Sequence, residues 1–199
     1  MNENIFNRVE NKYIINKKQR DLFLSEISSY VDKDKYYQSN ICNIYFDNDD
    51  NELLVNSPEK PIFKAKLRLR SYSVPNKDSI VYLELKDKYD GTSFKRRIKL
   101  SLEEFYEYFN NGKIKNEQIM NELNYYFKFY NLKPYVYIGY DRLSFLEKNN
   151  PDLRITIDEN LVSRTDNLNL EYGREGDKYF NNDIYILEIK TINSMPLWL

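Results

Sequence analysis

Two pairs of basic residues stand at alternate positions in strand-like segments. Arg68 and Arg70 have the spacing i, i+2 within FKAKLRLRSY, and Lys95 and Arg97 repeat it within SFKRRIKL. A β-strand turns alternate side chains to opposite faces, so the members of each pair share a face. A guanidinium presents a planar fork of donors that can grip two phosphate oxygens at once. The pattern therefore suits a surface that binds phosphate.

Two further segments place a carboxylate beside an ammonium. Glu84 and Lys86 lie in VYLELKDK, and Glu188 and Lys190 lie in YILEIK. Each pair shares one strand face, with leucine and isoleucine on the other. One interpretation is an ordinary antiparallel sheet, with its apolar face in the core and its charges in water. The other is a charged interior that holds a ligand, and periodicity alone does not choose between them.

Three observations favour the charged interior. Like charges recur at i, i+2, whereas solvated faces more often mix signs across strands. Arginine predominates at these positions, and the amphipathic helices need an apolar sheet face to cover. The candidate set holds nine bases and four acids, on a chain whose net charge is −1. If enclosed, this surplus of five positive charges would be unstable when empty, and water and a polyanion could offset it. The bases are Lys12, Arg68, Arg70, Lys86, Lys95, Arg97, Arg142, Arg154 and Lys190, and the acids are Glu10, Glu84, Asp158 and Glu188.

Composition narrows the chemistry. The 199 residues include no histidine and one cysteine, Cys42, which excludes an intramolecular disulfide, a CxxC redox pair and a cysteine-rich zinc site. A metal would therefore be a hard ion held by Asp and Glu oxygens. The near-zero net charge disfavours nucleic-acid binding, despite 19 tyrosines and 11 phenylalanines. No signal peptide or transmembrane segment is evident, so a cytoplasmic location is expected.

Strands dominate the elements that must position these residues. Alternation and β-forming residues predict eight strands, enough to close a barrel. Three amphipathic segments predict helices, of which the second opens with the capping-box residues Ser101 and Glu104 and can end at Gly112. The predicted strands are 8–15, 40–47, 63–72, 80–88, 93–100, 135–146, 153–164 and 183–192, and the predicted helices are 16–31, 101–109 and 116–130.

The ordered series RVENKY, KLRLRSY, YLELK, FKRR, YDRLSF, LRITID and LEIK…PLWL resembles the VTC domain, the polyphosphate polymerase module of the vacuolar transporter chaperone family. That domain belongs with the CYTH proteins to the triphosphate tunnel metalloenzymes. The resemblance implies an α+β fold: a closed eight-stranded antiparallel β-barrel with a polar, charged lumen and helices packed outside. We expect a single such domain over residues 1–199, without the C-terminal segment that closes the tunnel in the family.

The resemblance also implies roles for individual residues. It implies Mn²⁺ or Mg²⁺ as cofactor, with Glu188 as the main metal ligand. Arg8 stands where CYTH proteins carry the first glutamate of their first strand, which disfavours triphosphate hydrolysis of the CYTH type. The implied catalytic residues are Arg68, Arg70, Lys86, Arg142 and Arg154; the substrate-binding residues are Lys12, Lys95, Arg97, Tyr140 and Lys190; the metal-binding residues are Glu188, Glu10, Glu84 and Asp158.

The function that these expectations favour is transfer of the γ-phosphoryl group of ATP to a growing inorganic polyphosphate chain. The acceptor is already anionic, so the missing histidine is no obstacle. Two alternatives stay open: a tripolyphosphatase or nucleotide triphosphatase, and a non-catalytic polyphosphate-binding module. The expected partners are ATP and polyphosphate rather than nucleic acid. Eukaryotic relatives work within membrane complexes, so a membrane protein is a further expected partner.

Overall fold

The computed structural model describes residues 8–54, 63–90, 92–112, 118–150, 152–178, 183–192 and 194–199. The chain has an α+β fold dominated by antiparallel sheet. Its strands are β1 (Arg8–Asn16), β2 (Val31–Asp47), β3 (Phe63–Ser71), β4 (Ile80–Tyr89), β5 (Thr92–Ser101), β6 (Lys133–Glu147), β7 (Arg154–Arg164), β8 (Asp177–Lys178) and β9 (Ile184–Ile192). Its helices are α1 (Lys17–Ile27), α2 (Leu102–Asn111) and α3 (Gln118–Phe129).

The strand order is β1-β9-β7-β6-β2-β3-β4-β5, and β8 pairs with β7. The pairs β1–β9, β7–β9, β2–β3, β3–β4 and β4–β5 are antiparallel. The order has two ends, and within the described residues no pairing joins β1 to β5. The closed barrel expected from the sequence is therefore not formed by these pairings. The sequence pattern could not show this, because alternation specifies the faces of a strand but not which strand edges pair.

The predicted elements are found with several changes. The first helix is shorter than predicted. Asn16 caps its start in a capping box with Gln19, and the helix ends at Ile27. Val31 already belongs to β2, which is 17 residues long and begins well before the predicted residue 40. The two-residue β8 was not predicted. The second helix has the expected capping residues, a capping box between Ser101 and Glu104 and a left-handed Gly112 at its C-terminus, and it spans Leu102–Asn111 rather than 101–109.

The chain divides into two compact units, each with its own core. Unit 1 comprises residues 1–40, 140–161 and 178–199, and unit 2 comprises residues 41–139 and 162–177. In unit 1, α1 packs on the apolar face of β7 and β9, where Ile155, Ile157, Leu187 and Ile189 are buried. In unit 2, α2 and α3 cover the apolar face of β3 and β4 with residues that include Phe105 and Leu123.

In each unit the helices thus bury the apolar side of the strands, as the sequence predicts, and the charged side chains lie on the other side. No helix in the described parts of the chain is both long enough and apolar enough to span a bilayer.

Candidate functional site

Unit 2 carries a strongly basic strand face. Arg68 on β3 lies opposite Glu84 on β4, which lies opposite Arg97 on β5. Neighbouring rows follow the same alternation, so among the described residues of β3, β4 and β5 nine bases share this face with one carboxylate, that of Glu84. We call this set the basic face: Lys64, Lys66, Arg68, Arg70, Lys86, Lys88, Lys95, Arg97 and Lys99, around Glu84. Such a density of one sign favours binding of an anion.

Glu84 is the centre of the basic face. Its side chain is only 2% exposed, and its Oε2 accepts hydrogen bonds from Arg68 Nε at 2.8 Å and Nη2 at 2.6 Å. Its Oε1 lies 3.1 Å from Lys95 Nζ and 3.7 Å from Arg97 Nη1. One carboxylate thus fixes three cations from two neighbouring strands, which holds their side chains in place without neutralising the face.

The electrostatic interactions among Glu84, Arg68 and Tyr45 favour the ionised forms of these side chains. Burial by itself would raise the pKa of Glu84, but Arg68, Arg70 and Lys95 lower it to about 2. Burial likewise opposes the charge of Arg68, yet Tyr45 and Glu84 raise its pKa above the ordinary value. Tyr45 lies opposite Arg68 on β2 and accepts a hydrogen bond from Arg68 Nη1 at 3.1 Å. Although burial opposes it, Arg68 lowers the pKa of the Tyr45 phenol.

The next row is held from the side of β2. Arg70 is buried, and its Nε donates to Asn43 Oδ1 at 2.8 Å. The amide of Asn43 donates in turn to the Ile138 carbonyl at 2.9 Å. This fixed Arg70 contrasts with Lys86, which is exposed between Lys66 and Lys95 and forms no ion pair with a described residue. The basic face therefore combines anchored arginines with a solvent-accessible lysine.

Unit 1 carries a different face, on which charges of both signs alternate. Glu10 on β1 lies opposite Lys190 on β9, and Lys12 lies opposite Glu188. On the other side of β9, Arg154 and Thr156 of β7 lie opposite Lys190 and Glu188. We call this set the mixed-charge face: Glu10, Lys12, Tyr140, Arg142, Arg154, Thr156, Asp158, Glu188 and Lys190.

Glu188 is the buried member of the mixed-charge face. Its carboxylate lies 3.4 Å from Lys12 Nζ and 3.2 Å from Lys190 Nζ, and these two ammonium groups also lie 3.4 and 3.7 Å from Glu10. Thr156 Oγ1 donates to Glu188 Oε2 at 3.4 Å. Burial would raise the pKa of Glu188, but the charges of Lys190 and Lys12 lower it. Both lysines are therefore positioned by acids.

Arg142 and Asp158 form a two-pronged ion pair beside this group. Arg142 Nε and Nη2 each donate to one oxygen of Asp158 at 2.6 Å. Burial opposes the charge of Arg142, but Asp158 and Tyr140 raise its pKa above the ordinary value. The guanidinium also lies 5.2 Å from the centre of the Tyr140 ring and 3.9 Å from Glu188 Oε2. Arg154 points to a separate partner, Asp34 Oδ2, at 3.1 Å.

The structure thus sorts the sequence-predicted site residues into two groups. The basic face holds Arg68, Arg70, Lys86, Lys95 and Arg97 together with Glu84, and the mixed-charge face holds Lys12, Tyr140, Arg142, Arg154 and Lys190 together with Glu10, Asp158 and Glu188. Sequence reasoning did not single out Tyr45, Asn43 or Asp34. Nothing in their own segments marks them, since their roles come from partners on other strands.

The acidic residues differ in what they can offer a metal. The Glu84 carboxylate is surrounded by cations, and both oxygens of Asp158 already accept hydrogen bonds from Arg142. Within the described residues no three Asp, Glu or Cys side chains come together closely enough to hold an ion by themselves. The carboxylates of Glu10 and Glu188, which share two lysines, are the pair best placed to contribute. One or two carboxylates completed by substrate phosphates is an arrangement that suits Mg²⁺.

Comparison with known proteins adds two findings. The family model described as VTC domain matches residues 7–199. Among solved structures, a candidate adenylate cyclase from Bacillus halodurans superposes with a TM-score of 0.58 at 16% identity, over 92% of this chain and 79% of that one. A candidate adenylate cyclase from Vibrio parahaemolyticus gives a TM-score of 0.50 at 14% identity, over 94% and 77%. These similarities show a shared fold. No curated protein matches the chain.

Proposed function

The chain belongs to the VTC domain family, and we propose that it is a polyphosphate polymerase that uses ATP. In the proposed reaction, the bond between the γ-phosphorus and the bridging oxygen of the β-phosphate breaks. A new bond joins the γ-phosphorus to a terminal oxygen of the polyphosphate chain, and ADP leaves. The terminal phosphate is already an anion, so the reaction requires no strong general base, in keeping with a chain that lacks histidine.

The observation that carries this proposal is the basic face with its single carboxylate. Phosphoryl transfer depends chiefly on positioning and on stabilisation of negative charge. Arg68 and Arg70 are anchored by Glu84 and Asn43, so their guanidinium groups are held before a ligand arrives. We assign them, with Lys86, Lys95 and Arg97, to the phosphates of the substrate. Preorganised cations of this kind can stabilise charge that develops on the transferred phosphoryl group without large rearrangement.

A divalent cation, Mn²⁺ or Mg²⁺, belongs to the proposal on the strength of the family and of the donor chemistry. Glu188 would hold it, assisted by Glu10, with phosphate oxygens completing its coordination. When bound, the cation would neutralise charge on the phosphate oxygens. On the same face, Lys12, Lys190, Arg142, Arg154 and Tyr140 are assigned to phosphate binding; Asp158 orients Arg142 through its two hydrogen bonds. The cytoplasmic location and a membrane-protein partner stay part of the proposal.

Product analysis separates this function from its two rivals. The chain would be incubated with ATP and MnCl₂, the products resolved on a polyacrylamide gel stained for polyphosphate, and orthophosphate measured in parallel. A polymerase yields ADP and long polyphosphate. A tripolyphosphatase or nucleotide triphosphatase yields orthophosphate and a shortened substrate, and a binding module yields no turnover while still retaining polyphosphate on a filter. Either of the last two results would overturn the proposed polymerase.

A further inference from the structure

The basic face ends in an aromatic pair that phosphate binding does not explain. Tyr82 on β4 lies opposite Arg70 on β3 and Lys99 on β5. Tyr72 directly follows β3, and its ring meets Tyr82 edge to face, with centroids 5.7 Å apart and an interplanar angle of 80°. Through this contact Tyr72 adjoins the row of Arg70, Tyr82 and Lys99 on the basic face. An aromatic surface therefore adjoins the proposed phosphate site.

The two rings differ in what covers them. The guanidinium of Arg97 lies over Tyr82, 3.5 Å from the ring centroid, so that this ring is already stacked. Tyr72 is 43% exposed, and no described ring or cation stacks on it. Tyr72 thus meets Tyr82 in a T-shaped contact and still exposes 43% of its surface to a ligand.

We propose that Tyr72 is the stacking platform for the base of a nucleoside triphosphate whose phosphates lie on the basic face. This inference rests on the proposed function and adds the part of the site that tells a nucleotide from inorganic polyphosphate. Every nucleobase has a π face, and its stacking on an aromatic side chain is tolerant of base identity. Tyr72 therefore favours nucleotides over tripolyphosphate without selecting strongly among bases.

Arg97 links the two parts of this nucleotide site. Its guanidinium covers Tyr82 and also lies 3.7 Å from the central carboxylate of Glu84. A triphosphate bound by Arg97 and Arg70 would therefore lie next to the aromatic pair. The base of the same nucleotide could then reach Tyr72. A tyrosine can also act through its hydroxyl, as a donor to phosphate. Replacement by phenylalanine separates that role from stacking.

The test compares binding of ATP and of inorganic tripolyphosphate by calorimetry, each with MnCl₂, in wild type, Tyr72→Ala, Tyr72→Phe and Tyr72→Trp. The control is Tyr89→Ala, because Tyr89 is an exposed tyrosine on the other face of β4. We expect Tyr72→Ala to weaken ATP binding about tenfold, the scale of one base–aromatic stack. Its tripolyphosphate affinity should stay within about twofold of wild type, and the Phe, Trp and Tyr89→Ala variants should bind both ligands normally.

Three results would overturn the platform. Tyr72→Ala could leave ATP affinity unchanged, it could weaken both ligands equally, or Tyr72→Phe could lose as much ATP affinity as Tyr72→Ala. In each case normal tripolyphosphate binding and polyphosphate synthesis by wild type would leave the proposed function standing. If wild type bound neither ATP nor tripolyphosphate, both the Tyr72 platform and the proposed function would be overturned. Failure of the platform alone is therefore distinguishable from failure of the proposed function.

Discussion

Arg68 and Glu84 face each other directly across β3 and β4, and two nitrogens of the guanidinium donate to one oxygen of the carboxylate. The other oxygen of Glu84 faces Lys95 and Arg97. A single buried acid therefore holds three of the cations that we assign to phosphate. This relationship makes Glu84 a positioning residue, and it gives the basic face a fixed shape that can be tested through stability as well as activity.

Glu84→Gln should make the folded chain less stable and more dependent on an anion. Removing one partner of a buried ion pair costs about 3 kcal/mol, because the remaining charges are left uncompensated. Tripolyphosphate can supply the missing negative charge, so it should raise the melting temperature of the variant more than that of wild type. Thermal unfolding with and without tripolyphosphate measures this. Glu103→Gln, at an exposed position on α2, is the control; equal ligand-induced shifts in all three proteins would contradict the idea.

The same carboxylate predicts a pH dependence. The pKa of Glu84 in the folded chain is about 2, below its ordinary value of 4.5. A lowered pKa stabilises the fold above pH 4.5, and this contribution is lost as the pH falls towards 2. The difference in unfolding free energy between wild type and Glu84→Gln should therefore shrink over that interval, by up to about 3 kcal/mol. Urea unfolding of both proteins at several pH values checks this, and a difference that does not change with pH would refute it.

Arg142 and Asp158 should be energetically coupled. Each single alanine variant leaves a largely buried charge without its partner, whereas the double variant removes both charges. We expect the double variant to lose about 2 kcal/mol less stability than the sum of the single variants. The pair of Arg20 and Glu159, whose carboxylate is more exposed and accepts a single hydrogen bond from the arginine, is the control, for which coupling below about 1 kcal/mol is expected. Strictly additive losses at Arg142 and Asp158 would show that their contact contributes no coupling.

Glu188→Gln tests the metal assignment. The variant keeps the size of the side chain but loses the charge that attracts a cation, so the MnCl₂ concentration for half-maximal polyphosphate synthesis should rise about tenfold or more. Electron paramagnetic resonance of Mn²⁺ with tripolyphosphate present should report the same weakening without turnover. Glu159→Gln is the control, since Glu159 pairs with Arg20 in the same unit. Superimposable Mn²⁺ titrations of wild type and Glu188→Gln would remove Glu188 from the metal site.

The sequence predicted the features that depend on local pattern. Alternation placed Arg68, Glu84 and Glu188 on charged faces opposite buried leucine and isoleucine, and the residues at 101 and 104 marked the start of α2. These signals need only neighbours in the chain. The family was also identified from the ordered motifs, and the family match over residues 7–199 confirms it.

The features that were missed depend on partners far away in the chain. The first half of β2, VDKDKYYQS, has no apolar alternation, because most of its side chains are exposed and little core selects its residue types. Tyr45 resembles any β-forming tyrosine until the register sets it opposite Arg68. Arg164, which no motif marked, is buried with its guanidinium on the carbonyls of Asn167, Asn169, Gly173 and Glu175. Strand order and edge pairing are likewise set by long-range contacts.

The most direct test of the central claim, that the basic face grips the phosphates during polyphosphate synthesis, compares Arg68→Ala with Arg96→Ala. Arg96 is an arginine of the same sheet, but it lies on the opposite face and pairs with Asp87 and Glu122. Rates of polyphosphate formation from ATP and MnCl₂ would be measured on proteins shown to be folded. We predict that Arg68→Ala loses about 2 to 4 kcal/mol of transition-state stabilisation, roughly a 30- to 1,000-fold lower rate, and that Arg96→Ala stays within about threefold of wild type. A folded Arg68→Ala variant that makes polyphosphate at the wild-type rate would contradict the claim.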